Sequence, residues 1–215
     1  MVGVTGVMGS GKSSVAQLLA DCGGHWLDAD QMARQAIEPG TVGWQAVVAQ
    51  FGSELLLPDG HINRAALGAC LGGDEQQWQR LEQIVHPQVR LLQAIALRYL
   101  DENDASAVAV LDVPLLFETG ADQLCDTTVV VVCGAVQQQR LQQRGGMSVS
   151  VRQAASMRQW SEQQKRQHAG WLIDNSGTLQ HTREQVIGLW QRLLSQDAAA
   201  ASRVWPTAWQ PFLPC

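Results

Sequence analysis

The sequence predicts an α/β protein in which a parallel β-sheet carries helices on both faces. Short strand-like runs alternate along the chain with longer runs of helical spacing, and this order is typical of parallel sheets. The strongest strand-like run, Thr127–Cys133, is apolar at successive positions, as expected for an interior strand covered on both faces. With 46% apolar and 16% charged residues, the chain can form a real core, which excludes wholesale disorder.

The predicted strands and helices follow one another along the chain. The strands are Val2–Thr5, Trp26–Leu27, Ala107–Val113, Thr127–Cys133 and Trp171–Ile173. Apolar residues at helical spacing predict helices over Lys12–Cys22, Val136–Arg144 and Thr178–Ser195. The mainly helical pattern between Gln31 and about Leu100 is too long for a simple crossover, so we expect it to form an inserted lobe.

Charge and cysteine content exclude several classes of protein. Fifteen Lys and Arg against twenty Asp and Glu give a net charge of −5, which lacks the basic footprint of a general nucleic-acid binder but allows a local phosphate site. No apolar run reaches the length of a membrane span, and the N-terminus lacks signal-peptide features. The five cysteines are scattered without a CxxC pair, so we expect reduced thiols, a cytoplasmic location and no membrane partner.

The segment Gly6–Ser13 matches the GxxxxGK[ST] pattern of a phosphate-binding loop. It follows a predicted strand and opens a predicted helix, which is the context that the motif requires. Its backbone N–H groups can surround phosphates, while Lys12 reaches the β- and γ-phosphate oxygens and Ser13 is placed to ligate Mg²⁺. The predicted nucleotide-binding residues are Gly9, Ser10, Gly11, Lys12, Ser13 and Ser14. A glycine-rich turn capped by serine is the structural alternative.

A phosphate loop predicts nucleotide binding but does not choose the class of protein. A GTPase switch would need an Asn-Lys-x-Asp guanine reader, which the sequence lacks. A motor or assembly ATPase usually has Glu directly after the acidic residue of the third strand, but Asp112 is followed by Val113. A small-molecule kinase fits better, with Ser13 and Asp112 as candidate Mg²⁺ ligands, although the sequence leaves open whether Asp28 or Asp112 helps to hold the ion. The kinase could act on a nucleoside, nucleotide or sugar acid, and a nucleotide-dependent regulatory module remains the alternative from another class.

Asp28 and Asp30 end the second predicted strand two residues apart. On a strand they would share a face, and strand C-terminal ends border the ligand crevice in such sheets. One of them can therefore orient or deprotonate an acceptor hydroxyl, whereas helix capping is the competing role of either residue. We expect Asp30 to be functional.

Several stretches of the chain resemble the dephospho-CoA kinase family. They are Leu27–Asp30 with Ala33–Gln35 and Glu38–Gly40, Phe51–Gly52 with Asp59–Gly60, Arg64 and Leu67, Leu81–Glu82 with Ile84 and His86–Pro87, Asp112–Glu118, and Ile173–Gly177. The resemblance covers about residues 1–195 in the right order. The phosphate loop alone is generic, but the Asp-Ala-Asp, His-Pro and Pro-Leu-Leu-Phe-Glu segments together are specific.

The resemblance implies a P-loop kinase core with a five-stranded parallel sheet, a helical substrate lobe and a mobile lid. The expected parts are a core at about 1–30, 104–143 and 169–195, a substrate lobe at about 31–103, and a lid at about 144–168. The implied reaction transfers the γ-phosphoryl group of ATP to the ribose 3′-hydroxyl of dephospho-CoA, the last step of CoA synthesis. Asp30 is then the residue at the acceptor hydroxyl.

Other candidate site residues lie on either side of the third and fourth predicted strands. Arg140 and Arg144 are four residues apart on one helix face, where they could neutralise the transferring phosphoryl group, with a solvated basic face as the alternative. The substrate-binding candidates are Arg64, His86 and Glu118. Asn175 is expected in a turn, with the adenine pocket as its functional assignment.

Three local features add expectations about the backbone. His86 precedes Pro87, which predicts a backbone break in the helical lobe. Arg144 is followed by Gly145–Gly146 where the family often has Asp-Gly, which suggests a looser lid hinge. The composition changes after Gln196, so we expect 196–215 to be an appended tail, and the sequence leaves open whether it folds back on the domain.

Overall fold

A computed structural model describes residues 1–104, 106–143, 156–197 and 209–213. Its strands are β1 (Val2–Gly6), β2 (His25–Asp28), β3 (Ala109–Asp112), β4 (Thr127–Val132) and β5 (Trp171–Asp174). They form one five-stranded sheet in the order β2-β3-β1-β4-β5, in which every neighbouring pair is parallel. The predicted fold class, a parallel sheet flanked by helices, is therefore confirmed.

In the described residues, each strand is followed along the chain by one or more helices, except β3, which is followed by a loop and a short 3-10 turn. The helices are α1 (Lys12–Asp21), α2 (Ala29–Gln35), α3 (Val42–Phe51), α4 (Arg64–Leu71), α5 (Glu75–Asn103), α6 (Val136–Gln143), α7 (Glu162–Gln167) and α8 (Leu179–Asp197). The sequence did not predict α7, because its polar residues lack apolar periodicity. A capping box between Ser161 and Gln164 supplies the hydrogen bonds that start this helix.

Apolar side chains cover both faces of the sheet, and β4 shows this most clearly. Val129 and Val131 pack into the core cluster that contains residues of α1 and α8. Val130 and Val132 point the other way and form a second cluster with Phe117. Alternate residues of one strand therefore meet two separate cores, which explains why the sequence is apolar at every position from Val129 to Val132.

The carboxyl ends of the central strands meet at one edge of the sheet. Asp28 at the end of β2 is in register with Asp112 at the end of β3, and Asp112 is also in register with Val4 of β1. After Gly6 the chain turns through the phosphate loop into α1. Acidic side chains and the phosphate loop are therefore brought to the same edge, where ligands bind in open parallel sheets.

The inserted region forms a helical lobe with its own core. Its buried residues are Val47, Phe51, Leu55, Ile62, Leu67 and Leu71. The predicted backbone break at His86–Pro87 is wrong, since α5 is one helix of 29 residues that includes Pro87. Proline removes one helical N–H. Beyond it, α5 buries Val89, Leu97 and Leu100, and this packing holds the helix together.

Residues 209–213 lie against the domain. Trp209 is 2% exposed and belongs to the cluster that contains Leu97, Leu111 and Leu116. Its indole N–H donates a hydrogen bond to the Leu124 carbonyl at 3.2 Å. Residues 209–213 thus fold back on the domain and pack into its core. The sequence had left open whether the segment 196–215 does so.

None of the described helices is both long and apolar enough to span a membrane. The cysteines that the structure describes are Cys22, Cys70, Cys125 and Cys133, and all four are free thiols. Burial raises the pKa of the Cys125 thiol to about 12, so this side chain is a neutral member of the core.

The contacts of Trp209 predict a measurable contribution to stability. Replacing Trp209 by Ala should lower the free energy of unfolding by about 3–5 kcal/mol, because a large buried side chain is lost from the core. Urea unfolding followed by circular dichroism measures this change. Gln210→Ala, at the exposed neighbouring position, is the control and should be nearly neutral. A loss below about 1 kcal/mol for Trp209→Ala would contradict the core assignment.

Candidate active site

The phosphate loop is held in a conformation that requires glycine. Gly9 and Gly11 have φ values of +84° and +85°, in the left-handed region that L side chains rarely adopt. A Cβ at Gly11 would also lie 2.0 Å from the side-chain nitrogen of Asn175. The glycines of the motif are therefore required both by the backbone conformation and by the close approach of a neighbour.

Asn175 supports the loop from below. Its Nδ2 donates to the Ser10 carbonyl at 2.7 Å, and its Oδ1 accepts from the Thr182 hydroxyl at 2.9 Å. Arg140 Nη1 donates to the same Ser10 carbonyl at 3.4 Å. The structure thus brings Asn175 and Arg140 to the phosphate loop, whereas the sequence assigned Asn175 to the adenine pocket. The oxygen and the nitrogen of the buried Asn175 side-chain amide therefore both form hydrogen bonds within the protein.

Two glutamines clamp Met8, in the middle of the loop. Gln137 of α6 donates from Nε2 to the Met8 carbonyl at 2.8 Å. Gln159, which precedes α7, accepts from the Met8 N–H at 2.9 Å. The sequence could not assign these roles, because a glutamine far away along the chain has no local pattern that links it to the loop.

Lys12 and Asp112 form a buried ion pair beneath the loop. Burial raises the pKa of Asp112, Lys12 opposes that shift, and the negative charges of Asp28 and Asp30 add to it. Asp112 Oδ2 is buried and has no hydrogen-bond partner among the described residues. This oxygen is thus an acceptor that a cation or its water ligand could satisfy.

The donor set fits Mg²⁺ that is shared with phosphates. Ser13, in the first turn of α1, is exposed, and its hydroxyl is the other predicted ligand. Within the described residues no group of three His, Cys, Asp or Glu side chains forms a cage for a metal ion. Mg²⁺ commonly keeps several waters and binds through one or two protein oxygens plus substrate phosphates, so these few donors suit it.

Asp30 lies in the first turn of α2 and not on the strand. Strand β2 ends at Asp28, whose side chain caps α2 by accepting from the backbone N–H groups of Asp30 at 2.9 Å and Gln31 at 3.1 Å. The predicted shared strand face of the two aspartates is therefore wrong. The capping role that competed for both residues falls to Asp28, and this leaves the exposed Asp30 carboxylate available to a ligand.

Asp30 lies where two cavities meet. A cavity of about 170 Å³ covers the phosphate loop. A larger one of about 520 Å³, which we call the acceptor cavity, lies between α2, α5 and the segment after β3. The residues that line both are Met8, Asp30, Pro114 and Gln159. A group bound in the larger cavity can therefore reach Asp30 and the phosphate loop together.

Apolar and basic side chains predominate in the lining of the acceptor cavity, and its carboxylates are Asp30 and Glu82. The apolar lining includes Ala33, Leu81, Val85, Val89 and Val113, and the basic lining consists of Arg34, His86, Arg90 and Arg158. Sequence reasoning identified His86 but missed the binding potential of the three arginines, which lie on three separate segments. This combination suits a large, partly apolar anion.

His86 lies close to charged side chains of both signs. Burial lowers the pKa of His86, Glu82 opposes this shift, and the positive charges of Arg90 and Arg158 reinforce it. Glu82 in turn pairs with Arg158 at 2.5 Å. The imidazole therefore favours its neutral form, which makes His86 a hydrogen-bonding group of the cavity wall.

Two predicted substrate residues do not face the acceptor cavity. Arg64 is exposed at the first position of α4, because Leu67 and Leu71 orient this helix toward the core of the lobe. Glu118 is engaged by protein, since Lys165 Nζ lies 2.8 Å from its Oε1 and the Trp160 N–H donates to Oε1 at 2.6 Å. Neither residue lines this cavity, so their predicted contact with substrate finds no support there.

Lys165 explains the position of Glu118. The ammonium group is buried and donates to the Pro114 carbonyl at 3.0 Å as well as to Glu118. Burial lowers the pKa of Lys165, and the hydrogen bond that Lys165 donates to Glu118 opposes that shift. This pair fixes the segment around α7 to the end of β3. Arg144 and the Gly145–Gly146 hinge lie outside the described residues.

Comparisons with known proteins identify close relatives over most of the chain. A family model described as dephospho-CoA kinase matches residues 1–181. A dephospho-CoA kinase of Geobacter metallireducens is 37% identical over 198 residues, which are 92% of this chain and 98% of that protein. One from Frankia casuarinae is 40% identical over 203 residues, which are 94% of this chain and 86% of that protein.

Solved structures share the fold. A crystal structure of a Thermus thermophilus protein is similar with a TM-score of 0.73 and 31% identity, over 89% of this chain and 96% of that one. A dephospho-CoA kinase from Campylobacter jejuni has a TM-score of 0.67 and 21% identity, over 91% of this chain and 98% of that one. At this identity the second similarity supports the fold alone.

The support of the loop by Asn175 can be tested with a nearly isosteric change. Asn175→Leu removes the donor to the Ser10 carbonyl and the acceptor for Thr182, so we expect the dissociation constant for ATP to rise about 10-fold. Isothermal titration calorimetry measures this constant. Ser176→Ala, at the exposed next residue, is the control. Unchanged ATP affinity in Asn175→Leu would show that the loop does not depend on this support.

The lowered pKa of His86 predicts a dependence of stability on pH. Below about pH 6.5 the unfolded chain takes up a proton that folded His86 resists, so the free energy of unfolding should fall as the pH decreases. Urea unfolding at several pH values between 7.5 and 5.5 measures the slope. His86→Gln should flatten it, whereas His25→Gln at the exposed start of β2 should not. Equal slopes in wild type and His86→Gln would refute the prediction.

Proposed function

The chain belongs to the dephospho-CoA kinase family, and from that membership we propose how its residues carry out the reaction. The activity is ATP-dependent transfer of the γ-phosphoryl group to the ribose 3′-hydroxyl of dephospho-CoA, which gives CoA. The observation that carries the assignment of roles is the position of Asp30 between the phosphate-loop cavity and the acceptor cavity.

On the donor side, the phosphate loop binds the triphosphate of ATP. The Ser10 and Ser14 N–H groups donate to the Val7 and Gly11 carbonyls, so the other loop N–H groups surround the β- and γ-phosphates, and the start of α1 adds positive potential. Lys12 shares its charge between Asp112 and the phosphate oxygens. Arg140, already close to the Ser10 carbonyl, stabilises the negative charge that develops on the transferred group. Arg144 is the second predicted lid arginine.

The proposed Mg²⁺ ligands are Ser13 and Asp112. The unsatisfied Oδ2 atom of Asp112 supports this role, directly or through a water molecule. Mg²⁺ held by these two residues would supply positive charge that offsets the charge of the phosphates. Asp112 also keeps Lys12 in place before the nucleotide binds, so the same carboxylate serves both positive groups.

On the acceptor side, Asp30 positions the 3′-hydroxyl by accepting its hydrogen bond. The 3′-oxygen forms a bond to the γ-phosphorus as the bond from that phosphorus to the β–γ bridging oxygen breaks. ADP leaves, and Asp30 takes the hydroxyl proton. Because the transition state of phosphoryl transfer is loose, early proton removal matters little, and orientation is the larger part of this role.

The acceptor cavity supplies charge for the diphosphate of dephospho-CoA. Arg34, Arg90 and Arg158 are its positive groups, and His86 contributes a neutral hydrogen bond. Glu118 acts indirectly as a positioning residue, because its pair with Lys165 fixes Pro114 and Trp160 at the edge of the site. We assign no direct substrate contact to Arg64.

We also propose that the partners are limited to small molecules in the cytoplasm. The net charge of −5 does not favour nucleic acid, and the basic groups described above converge on one cavity. ATP and dephospho-CoA account for the two cavities that meet at Asp30.

The role of Asp30 predicts a strong effect on turnover. Asp30→Asn keeps the shape but loses the charge that accepts the proton, so kcat should fall about 10²–10⁴-fold. The KM for ATP should change little, because the loop and Lys12 hold the nucleotide. A coupled assay of ADP release with dephospho-CoA measures both quantities.

The neighbouring Asp28 provides a matched control. Asn caps a helix as well as Asp does, so Asp28→Asn should keep α2 in place and reduce kcat much less. If Asp30→Asn kept more than about a third of wild-type kcat, Asp30 would not be the catalytic carboxylate. If the wild-type enzyme phosphorylated AMP, gluconate or shikimate as fast as dephospho-CoA, the assignment of the acceptor itself would be contradicted.

A further inference from the structure

The segment 209–213 forms one wall of a groove that continues the acceptor cavity. The groove has a volume of about 470 Å³ and runs between α5 and this segment. His86 and Arg90 line both the groove and the acceptor cavity. The groove and the acceptor cavity therefore adjoin at these two side chains.

The groove changes in chemical character along its length. At the junction with the acceptor cavity it is basic, because Arg90 lies there. Beyond that point its lining is apolar and consists of Pro87, Leu91, Pro211, Phe212 and Leu213. No carboxylate of the described residues lines it. A fitting ligand therefore carries an anionic group at the junction and a neutral, extended chain beyond it.

Arg90 is held at the junction by contacts on two sides. Its guanidinium carbon lies 5.0 Å from the centre of the Phe212 ring, and Nη2 donates to the Thr119 carbonyl at 3.4 Å. Phe212 in turn packs edge-on against the buried Trp209, with ring centres 5.6 Å apart. The groove wall is thus tied to the protein core, and the cation at its entrance is oriented before any ligand binds.

A second cavity also adjoins the acceptor cavity, but its charge is unsuitable. It has a volume of about 490 Å³, and Glu75, Glu82 and Glu118 line it beside Arg158. Even with Lys165 paired to Glu118, the carboxylates of this cavity outnumber its cations, which is less favourable to a diphosphate than the junction at Arg90. Charge complementarity therefore favours the groove beside segment 209–213 as the extension of the acceptor site.

We propose that this groove binds the pantetheine arm of dephospho-CoA, with the diphosphate at Arg90. The inference rests on the proposed function, which makes dephospho-CoA the acceptor. With the ribose at Asp30 and the diphosphate at the junction, the neutral arm extends over Leu91 and Phe212. Segment 209–213 thereby becomes part of the acceptor site, and its contacts contribute binding energy without touching the reacting atoms.

Two substitutions test the groove by opposite changes of its shape. Phe212→Ala removes a wall, and Leu91→Trp fills the groove while leaving the pair of Arg90 and Phe212 intact. Each should raise the KM for dephospho-CoA about 10-fold, with kcat and the KM for ATP nearly unchanged. The matched controls are Gln210→Ala in the same segment and Ile95→Trp on the exposed face of α5, and both should behave as wild type.

Competitive inhibition by the two halves of the acceptor locates the effect. At saturating ATP, 4′-phosphopantetheine should compete with dephospho-CoA in the wild type, and its inhibition constant should rise about 10-fold in both groove variants. The inhibition constant of AMP, which lacks the arm, should stay constant in Leu91→Trp, where the pair of Arg90 and Phe212 is intact. If AMP weakens equally in that variant, or if 4′-phosphopantetheine fails to inhibit the wild type, the groove does not bind the arm. Failure of the proposed function would show separately, as absent turnover of dephospho-CoA by the wild type.

Discussion

The ion pair of Lys12 with Asp112 joins the sheet to the phosphate loop. Asp112 ends an interior strand, where burial disfavours its charged form, and Lys12 supplies the opposite charge from the first turn of α1. The pair therefore fixes the start of this helix against the end of β3. Asn175, Gln137 and Gln159 then hold the loop between the two elements in one conformation.

This arrangement suits a site in which the Lys12 ammonium and the Asp112 carboxylate gain new charged neighbours when a nucleotide binds. Lys12 serves Asp112 in the absence of nucleotide, and in the proposed reaction it also faces phosphate oxygens. The unsatisfied oxygen of Asp112 leaves room for a further cation as the number of anionic groups increases. Asp30 stays outside this exchange, because Asp28 holds its helix in place and the Asp30 carboxylate remains exposed.

The parts of the site that the sequence predicted well are those formed by local backbone chemistry. The phosphate loop is one continuous segment, and alternating patterns located each strand to within a few residues. The sequence placed Asp30 on the second strand, but it lies in α2. The boundary was misplaced because Asp28 both ends β2 and caps α2. The pair of Glu118 with Lys165 joins positions 47 residues apart, and no local pattern announces such a contact. Pro87 was misread because packing beyond it outweighs one lost hydrogen bond.

The burial of Trp209 has a consequence for the order of events during synthesis. The core cluster that it completes also contains Leu27 of β2 and Leu111 of β3, which are translated much earlier. During synthesis, part of the apolar surface of these residues stays uncovered until Trp209 has left the ribosomal exit tunnel. A nascent chain can therefore form its phosphate loop before the second face of its sheet is covered, and during that interval the uncovered apolar surface is available to chaperones and to aggregation.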